Sequence, residues 1–395
     1  MKKILSLLLV TVLMFALCAP AMAAGTASSF SDVPAGSWYA EYVDVACEAG
    51  LMKGMGGNKF SPEGSLTVAE AITLAARLHN MYHGNSAVLE NGSPWYQPYV
   101  DYAKENGILE AGRSYSYNAP INRKDFALLI SNALPDSAIP AINNIPDGAI
   151  PDVSAGRPLE DAFNALLDAG IVDTGGYYWS LATYIAGGNP YDAAGAAVYR
   201  LYRAGLLTGN DKYGTYAPYT NIKRCEVAAI LSRVVDVSQR KSVSLEEKPV
   251  SLVPVSQLAN KASLQKRATD AQLAEAYDMA VYPMIYLSNL SVEAQLYGIA
   301  IALRAWTEAL VEYSMSAPNY NDPYGFFVRG AASCAGCTRA TGLCLNMLGI
   351  PYEHVNPDAY THQWTRINVG GTYWICDAYG LYCGPEPAPY QHPRV

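Results

Sequence analysis

A helix–loop–helix unit recurs three times within the first 240 residues, and this repetition constrains the fold more than any other feature of the sequence. Each copy has an aromatic residue beside an apolar-periodic helix, a Gly that stops this helix, a turn and a second helix. The second helices open at Leu66-Thr67-Val68-Ala69-Glu70, Ile121-Asn122-Arg123-Lys124-Asp125 and Ile222-Lys223-Arg224-Cys225-Glu226. Three copies of one unit predict a repeat architecture.

The repeats, which begin at Phe30-Ser31-Asp32-Val33 and continue with Trp38-Tyr39, resemble S-layer homology domains. The usual marks of that family are an F-x-D-V start, a W-Y pair, a G-x-x-G turn and a T-R-A-E helix opening. The resemblance implies an all-α three-repeat bundle that holds a secreted protein to an anionic secondary cell-wall polymer. We expect repeats at 30–82 and 94–135 and an expanded third repeat at 141–237.

The resemblance places the Arg of the family motif at Arg123 and Arg224, whereas the first copy has Val68 at this position. An Arg at a helix start offers a planar donor fork beside free backbone N–H groups, and both suit carboxylate or pyruvyl groups. Arg123 and Arg224 are therefore the candidate polymer-binding residues. Extra sequence around Leu159–Val172 means that the third copy is expanded or that a degenerate unit intervenes.

Residues 1–23 have the pattern of a secretory signal peptide. Lys2-Lys3 precedes an apolar run from Ile4 to Leu17, and Ala21-Met22-Ala23 is a small-x-small cleavage site. A lipoprotein anchor at Cys18 is the less favoured alternative, because the residues before it are a poor lipobox. No later stretch is long and apolar enough for a membrane span. We expect an exported protein of the cell wall.

Composition excludes one class of partner and directs attention to the cysteines. The net charge of −8 leaves no basic footprint for nucleic acid.

Seven cysteines remain after signal cleavage, and five of them lie in the last 62 residues. A disulfide scaffold would space its cysteines through the chain, so this cluster calls for a local explanation: catalysis, a metal or one bridge.

Residues 238–257 mix polar, charged and Pro residues without a period, which indicates a linker before a second domain at 258–395. A long helix is predicted after Ser291, with an apolar core stripe of Leu296, Ile299, Leu303, Trp306, Leu310 and Tyr313. A second buried helix is predicted to begin at Cys334 and to end before Gly349. A thiol at a helix start gains a favourable dipole and N–H donors, which lower its pKa.

The chain then alternates as two strands, Thr361 to Val369 and Thr372 to Asp377, joined by the hairpin signal Gly370-Gly371. With these two glycines as the loop, Val369 faces Thr372. Asp377 then lies diagonal to His362, at a backbone separation of roughly 7–8 Å that side chains can bridge. Cys334, His362 and Asp377 are therefore the candidate catalytic residues of a cysteine-nucleophile triad.

This arrangement resembles the transglutaminase-like core, in which C-x-G-Y-A precedes a helix ending L-G-I-P, followed by H-x-W and W-x-x-D. The corresponding residues are Cys334-Ala335-Gly336-Cys337-Thr338, Leu348-Gly349-Ile350-Pro351, His362-Gln363-Trp364 and Trp374-Ile375-Cys376-Asp377. The resemblance implies an α+β domain with a papain-like cysteine triad. Two positions depart from the pattern: Cys337 stands for Tyr and Ala332 for Gly. The resulting C-x-x-C leaves a metal or a regulatory bridge open as minor alternatives, and no cofactor is implied.

The sequence as a whole predicts a wall-anchored thiol enzyme acting on protein or peptide amide bonds. A thioester would form on Cys334, and the acyl group would pass to an amine or to water. The triad does not distinguish an acyltransferase from a thiol protease or another hydrolase. The alternative is a catalytically inactive structural or binding protein that keeps the fold, and the Cys337 departure supports it.

Overall fold

The computed structural model describes residues 30–85, 88–89, 92–357 and 361–392, so the predicted signal peptide lies outside the described residues. The chain divides into two compact units. The first unit comprises the chain up to Pro146 together with Ala193–Lys212 and Tyr216–Leu245. The second comprises Asp147–Asp192, Tyr213–Thr215 and the chain from Glu246 onward.

The helices of the described residues follow the order expected for repeated helical units and a second domain. They are α1 (Ala40–Glu48), α2 (Val68–Tyr82), α3 (Gln97–Glu105), α4 (Arg123–Ala133), α5 (Pro158–Asp168), α6 (Tyr177–Ile185), α7 (Ala193–Arg203), α8 (Arg224–Val235), α9 (Lys261–Leu264), α10 (Asp270–Leu287), α11 (Val292–Leu310) and α12 (Cys334–Met347). Residues 240–254, within the predicted linker, contain no helix or strand.

Three backbone hydrogen bonds join the three repeats of the first unit in a closed ring. The N–H of Leu66 donates to the carbonyl of Ile222 at 3.4 Å, Ile222 donates to Ile121 at 3.1 Å, and Ile121 donates to Leu66 at 2.9 Å. The helices pack in the same cyclic order, since α1 contacts α8, α3 contacts α2 and α7 contacts α4. The first helix of each repeat thus packs on the second helix of the preceding repeat, which gives the unit pseudo-threefold symmetry.

The division differs from the predicted domain boundaries at the third repeat. Its first helix is α7, whereas α5 and α6, which the sequence assigned to an expanded third repeat, belong to the second unit. There α5 and α6 pack on α11, and the Tyr177 hydroxyl donates to Glu308 at 2.6 Å. The apolar period of α5 shows that one face is buried, but it does not determine which core buries that face.

The long helix of the second unit begins as predicted, because Ser291 Oγ accepts the N–H of Ala294 at 3.3 Å. The predicted end of its core stripe is wrong. Leu310 is 61% exposed and Tyr313 is 52% exposed. The helix ends at Leu310, and the chain turns into a short strand β1 (Glu312–Tyr313) that pairs in parallel with β2 (Ala331–Ala332).

A four-stranded antiparallel sheet completes the second unit. Its strands are β3 (Glu353–Val355), β4 (Trp364–Val369), β5 (Thr372–Asp377) and β6 (Tyr382–Pro385), in the order β3-β4-β5-β6. Val369 pairs with Thr372, which confirms the predicted hairpin register. The outer strands β3 and β6 were not predicted. None of the helices in the described segments is long and apolar enough to cross a membrane.

Candidate active site

The candidate nucleophile Cys334 is the first residue of α12, immediately after β2 and Ser333. The Ser333 N–H donates to the carbonyl of Tyr320 at 2.9 Å, so this backbone holds the start of the helix. A Cβ on Gly336 would lie 2.3 Å from the same carbonyl oxygen. The glycine of the C-x-G pattern therefore allows a close backbone approach that fixes the position of Cys334.

His362 and Asp377 are in direct contact, as the predicted register implies. His362 lies two residues before β4, and its Nε2 is 2.6 Å from Oδ2 of Asp377, the last residue of β5. The two side chains are only 6% and 3% exposed. The N–H of Gly380 donates to the other carboxylate oxygen at 2.8 Å. The carboxylate therefore holds the imidazole with Nε2 protonated and leaves Nδ1 as the second functional ring atom.

The Cys334 thiol and the His362 ring interact, and each changes the protonation of the other. Burial raises the pKa of Cys334, but the imidazole and the backbone N–H groups of Gln363 and Ala335 outweigh burial and lower it. Burial lowers the pKa of His362, but hydrogen bonds to Asp377 and Cys334 outweigh burial and raise it to about 9. Opposite shifts of this kind favour a thiolate–imidazolium pair at neutral pH.

Asp377 completes the charge arrangement as an ionised carboxylate. Burial raises its pKa, but hydrogen bonds from two histidines outweigh burial and lower it. One donor is His362. The other is His392, whose Nε2 lies 2.9 Å from the same Oδ2. Sequence reasoning did not select His392, because this residue belongs to no motif and lies outside the predicted strands.

The two histidines and the aspartate also have the composition of a metal site. Their ligand atoms lie within 4.8 Å of one another, and two imidazoles with a carboxylate suit a divalent cation. The nitrogen-to-oxygen distances of 2.6 and 2.9 Å are those of hydrogen bonds. Shared protons therefore account for the same three residues without a metal.

The C-x-x-C alternatives concern Cys334 and Cys337, and both thiols are free in this structure. Cys337 is 3% exposed, and burial holds its pKa well above the usual value. Cys334 is only partly buried. The two thiols therefore differ in both access and ionisation, and only Cys334 has the properties of a nucleophile.

Three buried polar atoms beside the nucleophile have no nitrogen or oxygen hydrogen-bond partner. They are Ser333 Oγ, His362 Nδ1 and Trp364 Nε1. The Trp364 ring stacks beside His362, with the ring centroids 6.1 Å apart. Buried polar groups are normally paired. The interaction with the Cys334 thiol accounts for the second nitrogen of the His362 ring, so Ser333 Oγ and Trp364 Nε1 are the atoms that remain for a polar group of a bound molecule.

The candidate polymer-binding arginines lie at the start of α4 and α8, and both are largely buried. Arg224 is 6% exposed, and its guanidinium donates to the carbonyls of Phe60 and Lys53, each at 2.8 Å. Arg123 is 9% exposed and forms an ion pair with Glu226. Both guanidinium groups also stack on an aromatic ring of another repeat, Phe60 and Tyr216 respectively, at 4.8 Å.

The expectation of free backbone N–H groups at these helix starts is wrong. The N–H of Arg224 donates to Gly64 at 2.8 Å, and the N–H of Arg123 donates to Thr220 at 2.9 Å. Each helix start is used to join the repeats, in the same way as Val68, whose N–H donates to Ala119 at 2.9 Å. An anion near these residues would meet side chains and not a helix N-terminus.

Arg224 nevertheless lines a cavity of about 550 Å³ near these helices. The cavity has a mixed lining in which charged, aromatic and Gly residues meet. Its polar and aromatic lining residues include Lys53, Glu70, Arg77, Trp95 and Arg224. Trp95 is 54% exposed and offers an open ring at this cavity. An arginine beside an exposed aromatic ring suits an acidic carbohydrate.

Comparison with known proteins supports the S-layer homology assignment of the first repeat. Residues 29–72 match the S-layer homology domain. The chain is 28% identical over 136 residues to the S-layer protein sap of Bacillus anthracis, covering 33% of this chain and 16% of that protein. It is 28% identical over 115 residues to the surface-layer 125 kDa protein of Lysinibacillus sphaericus, covering 27% and 10%. It is 31% identical over 113 residues to a cell surface protein of Thermoanaerobacter kivui, covering 29% and 14%.

The matches thus span between 10% and 16% of the length of these relatives. The matched domain and the relatives locate this protein outside the cell, at the cell surface and cell wall, as the sequence predicted. The chain therefore carries an S-layer homology domain within a cell-wall-anchored surface protein.

Proposed function

We propose that this surface protein is a thiol enzyme of the transglutaminase-like class that acts on protein or peptide amide bonds. Two observations carry the proposal: the hydrogen bond of 2.6 Å between His362 and Asp377, and the mutual pKa effect of the His362 ring and the Cys334 thiol at the start of α12. Their pKa shifts favour a thiolate and an imidazolium, held by an ionised carboxylate. The same three residue types in this arrangement form the nucleophile, the acid–base and the orienting group of cysteine acyl-transfer enzymes.

In the first step, the Cys334 thiolate attacks the carbonyl carbon of a carboxamide or peptide bond and forms a carbon–sulfur bond. Negative charge develops on the carbonyl oxygen. The backbone N–H of Cys334, at the first position of α12, is suited to stabilise this oxyanion. The His362 imidazolium then donates its proton to the amide nitrogen, and the carbon–nitrogen bond breaks. The amine leaves, and the acyl group remains on Cys334 as a thioester.

In the second step, neutral His362 takes a proton from an attacking amine or water. The nucleophile bonds to the thioester carbon, and the thiolate leaves and recovers its imidazolium partner. An amine acceptor gives a crosslinked product, and water gives a carboxylate. Asp377 remains ionised throughout, because its task is to hold the protonated form of His362.

The test is to incubate isolated cell-wall protein and peptide fractions with the wild-type chain and with the Cys334→Ser variant. Mass spectrometry distinguishes the three outcomes, since crosslinking, deamidation and cleavage change mass differently. We expect one of these products with the wild type and none with the variant. If neither chain changes any fraction while wild-type Cys334 remains a free thiol, the inactive surface protein is the correct alternative.

We further propose that the first unit binds an anionic secondary cell-wall polymer and so keeps the enzyme at its substrates. The match to the S-layer homology domain and the cavity beside Arg224 support this partner. Arg224 supports it directly as a cation at the cavity. Arg123 is a weaker candidate, because its guanidinium is engaged by Glu226. Val68 offers no cation to the corresponding position of the first repeat.

A further inference from the structure

A second histidine shares the carboxylate that orients the proposed acid–base. Oδ2 of Asp377 lies 2.6 Å from Nε2 of His362 and 2.9 Å from Nε2 of His392, while Oδ1 accepts the Gly380 N–H at 2.8 Å. A carboxylate oxygen accepts about two hydrogen bonds in its plane. Both directions at Oδ2 are therefore occupied, and the carboxylate is held at both oxygens.

His392 is packed in place and does not lie loosely on the surface. Its side chain is 5% exposed. The ring contacts Trp364 edge-on, with the centroids 5.1 Å apart, and lies 6.1 Å from the ring of Tyr382. The segment that carries it is tied to the sheet, because the Tyr390 hydroxyl donates to the carbonyl of Leu381 at 2.8 Å. This packing determines which ring nitrogen of His392 reaches the carboxylate.

We propose that His392 is a positioning residue of the thiol enzyme described above, and this inference rests on that proposed function. By donating to the same oxygen as His362, it fixes the Asp377 carboxylate and reduces the negative charge available to the imidazolium. The effect matters in the first step. His362 must first hold its proton and then give it to the leaving amine, and a carboxylate with no second donor would retain that proton too strongly.

A purely structural histidine would satisfy its hydrogen bond anywhere in this region of the second unit. The inference depends instead on the identity of the acceptor atom, which is the atom that holds His362. Other titratable or charged groups near Asp377 and His362 could also change the pH profile. They are Cys334, Cys337, Cys376, Cys383, Arg304, Tyr379, Tyr382 and His392. Replacing His392 alone leaves all the others in place.

The experiment measures the rate at which iodoacetate alkylates Cys334 in the full chain between pH 5 and 11. The anionic reagent reacts fastest with the thiolate–imidazolium pair, so the rate falls when His362 loses its proton. In His392→Leu and His392→Asn, which cannot donate to Asp377 from the position of Nε2, we expect this fall to move upward. A shift of about half a pH unit corresponds to about a threefold change in the protonation constant of His362. In His392→Gln, whose amide N–H replaces Nε2–H, we expect the wild-type profile.

Thermal melting of the three variants separates a positioning role from a structural one. The inference is overturned if the Leu and Asn variants keep the wild-type profile, or if all three variants shift alike in proportion to lost stability. A different conclusion follows if Cys334 of the wild type shows no thiolate reactivity below pH 8. That result removes the proposed function itself, and this inference with it, whereas a normal wild-type profile with unshifted variants removes only the role of His392.

Discussion

Cys334 and Cys337 lie one helical turn apart on α12, yet their thiols have opposite properties. Cys334 is partly exposed and its pKa is lowered, because the imidazole of His362 outweighs the effect of burial. Cys337 is buried and its pKa is raised by that burial. The difference follows from their positions, since Cys334 is the first residue of the helix and interacts with His362, whereas Cys337 lies one turn further along and is buried in the core.

Alkylation with a limiting amount of iodoacetamide at pH 7 should therefore modify Cys334 alone. The other described cysteines are all buried, and the thiolate is the reactive form. Peptide mass spectrometry identifies the labelled site. The Cys334→Ser variant should take up no label under these conditions, whereas in denaturant all seven thiols of the signal-cleaved wild type should react. Faster labelling of any buried cysteine than of Cys334 would contradict the assignment of the nucleophile.

Asp377→Asn should make the thiol of Cys334 behave as an ordinary cysteine. Without the carboxylate, the pKa of His362 falls from about 9 towards 6.5, and the imidazolium is lost at neutral pH. Cys334 then loses the cation that lowers its own pKa. The alkylation rate at pH 7 should fall by at least about tenfold, while the two rates should differ much less at pH 10, where His362 is neutral in both chains.

Asp322→Asn is the matched control for this change. Asp322 is also fully buried, but its carboxylate accepts the backbone N–H groups of Lys266 and Arg267 and is not part of the triad. We expect this variant to be less stable and to keep the pH profile of alkylation. A profile that shifts equally in both variants would mean that lost stability, and not the charge at Asp377, changes the thiol.

The elements that position the triad could be predicted because local sequence determines them. The two-glycine loop sets the hairpin register, because the residues on either side of a two-residue loop form the first pair. The structure has this pairing of Val369 with Thr372. Similarly, a Gly with φ of +72° at Gly349 ends α12 where the sequence placed the stop. The contact between His362 and Asp377 then follows from the register without any knowledge of distant residues.

Features that depend on contacts distant in sequence could not be predicted. The amphipathic helix α5 has a clear apolar face, but its partner is α11 and not the repeat bundle. His392 contacts Asp377 only because the chain after β6 folds back towards this residue. The hydrophobic pattern of the sequence does not predict the course of that segment. The N–H of Arg224 is taken by Gly64 of another repeat, which the repeat pattern itself does not show.

Gly336→Ala should displace the nucleophile. The new methyl group would lie 2.3 Å from the Tyr320 carbonyl oxygen, and this backbone cannot move without breaking its hydrogen bond from Ser333. We expect a loss of about 1–3 kcal/mol in the free energy of unfolding and slower alkylation of Cys334. Gly342→Ala, in the same helix, meets the hydroxyl end of the Tyr352 side chain instead. This control should leave the alkylation rate near that of the wild type.

Arg224→Gln should weaken binding to cell-wall polymer by about tenfold or more, since a charged hydrogen bond contributes roughly 1.5–3 kcal/mol. The measurement is cosedimentation with purified cell walls, before and after extraction of the secondary polymer. Arg113→Gln is the control, because Arg113 belongs to the same unit and its side chain is 37% exposed, paired with Glu110 and Asp125. Melting of both variants checks that the Phe60 and Lys53 contacts of Arg224 are not the cause. Equal binding by the two variants, or binding that survives removal of the polymer, would exclude Arg224 from the polymer site.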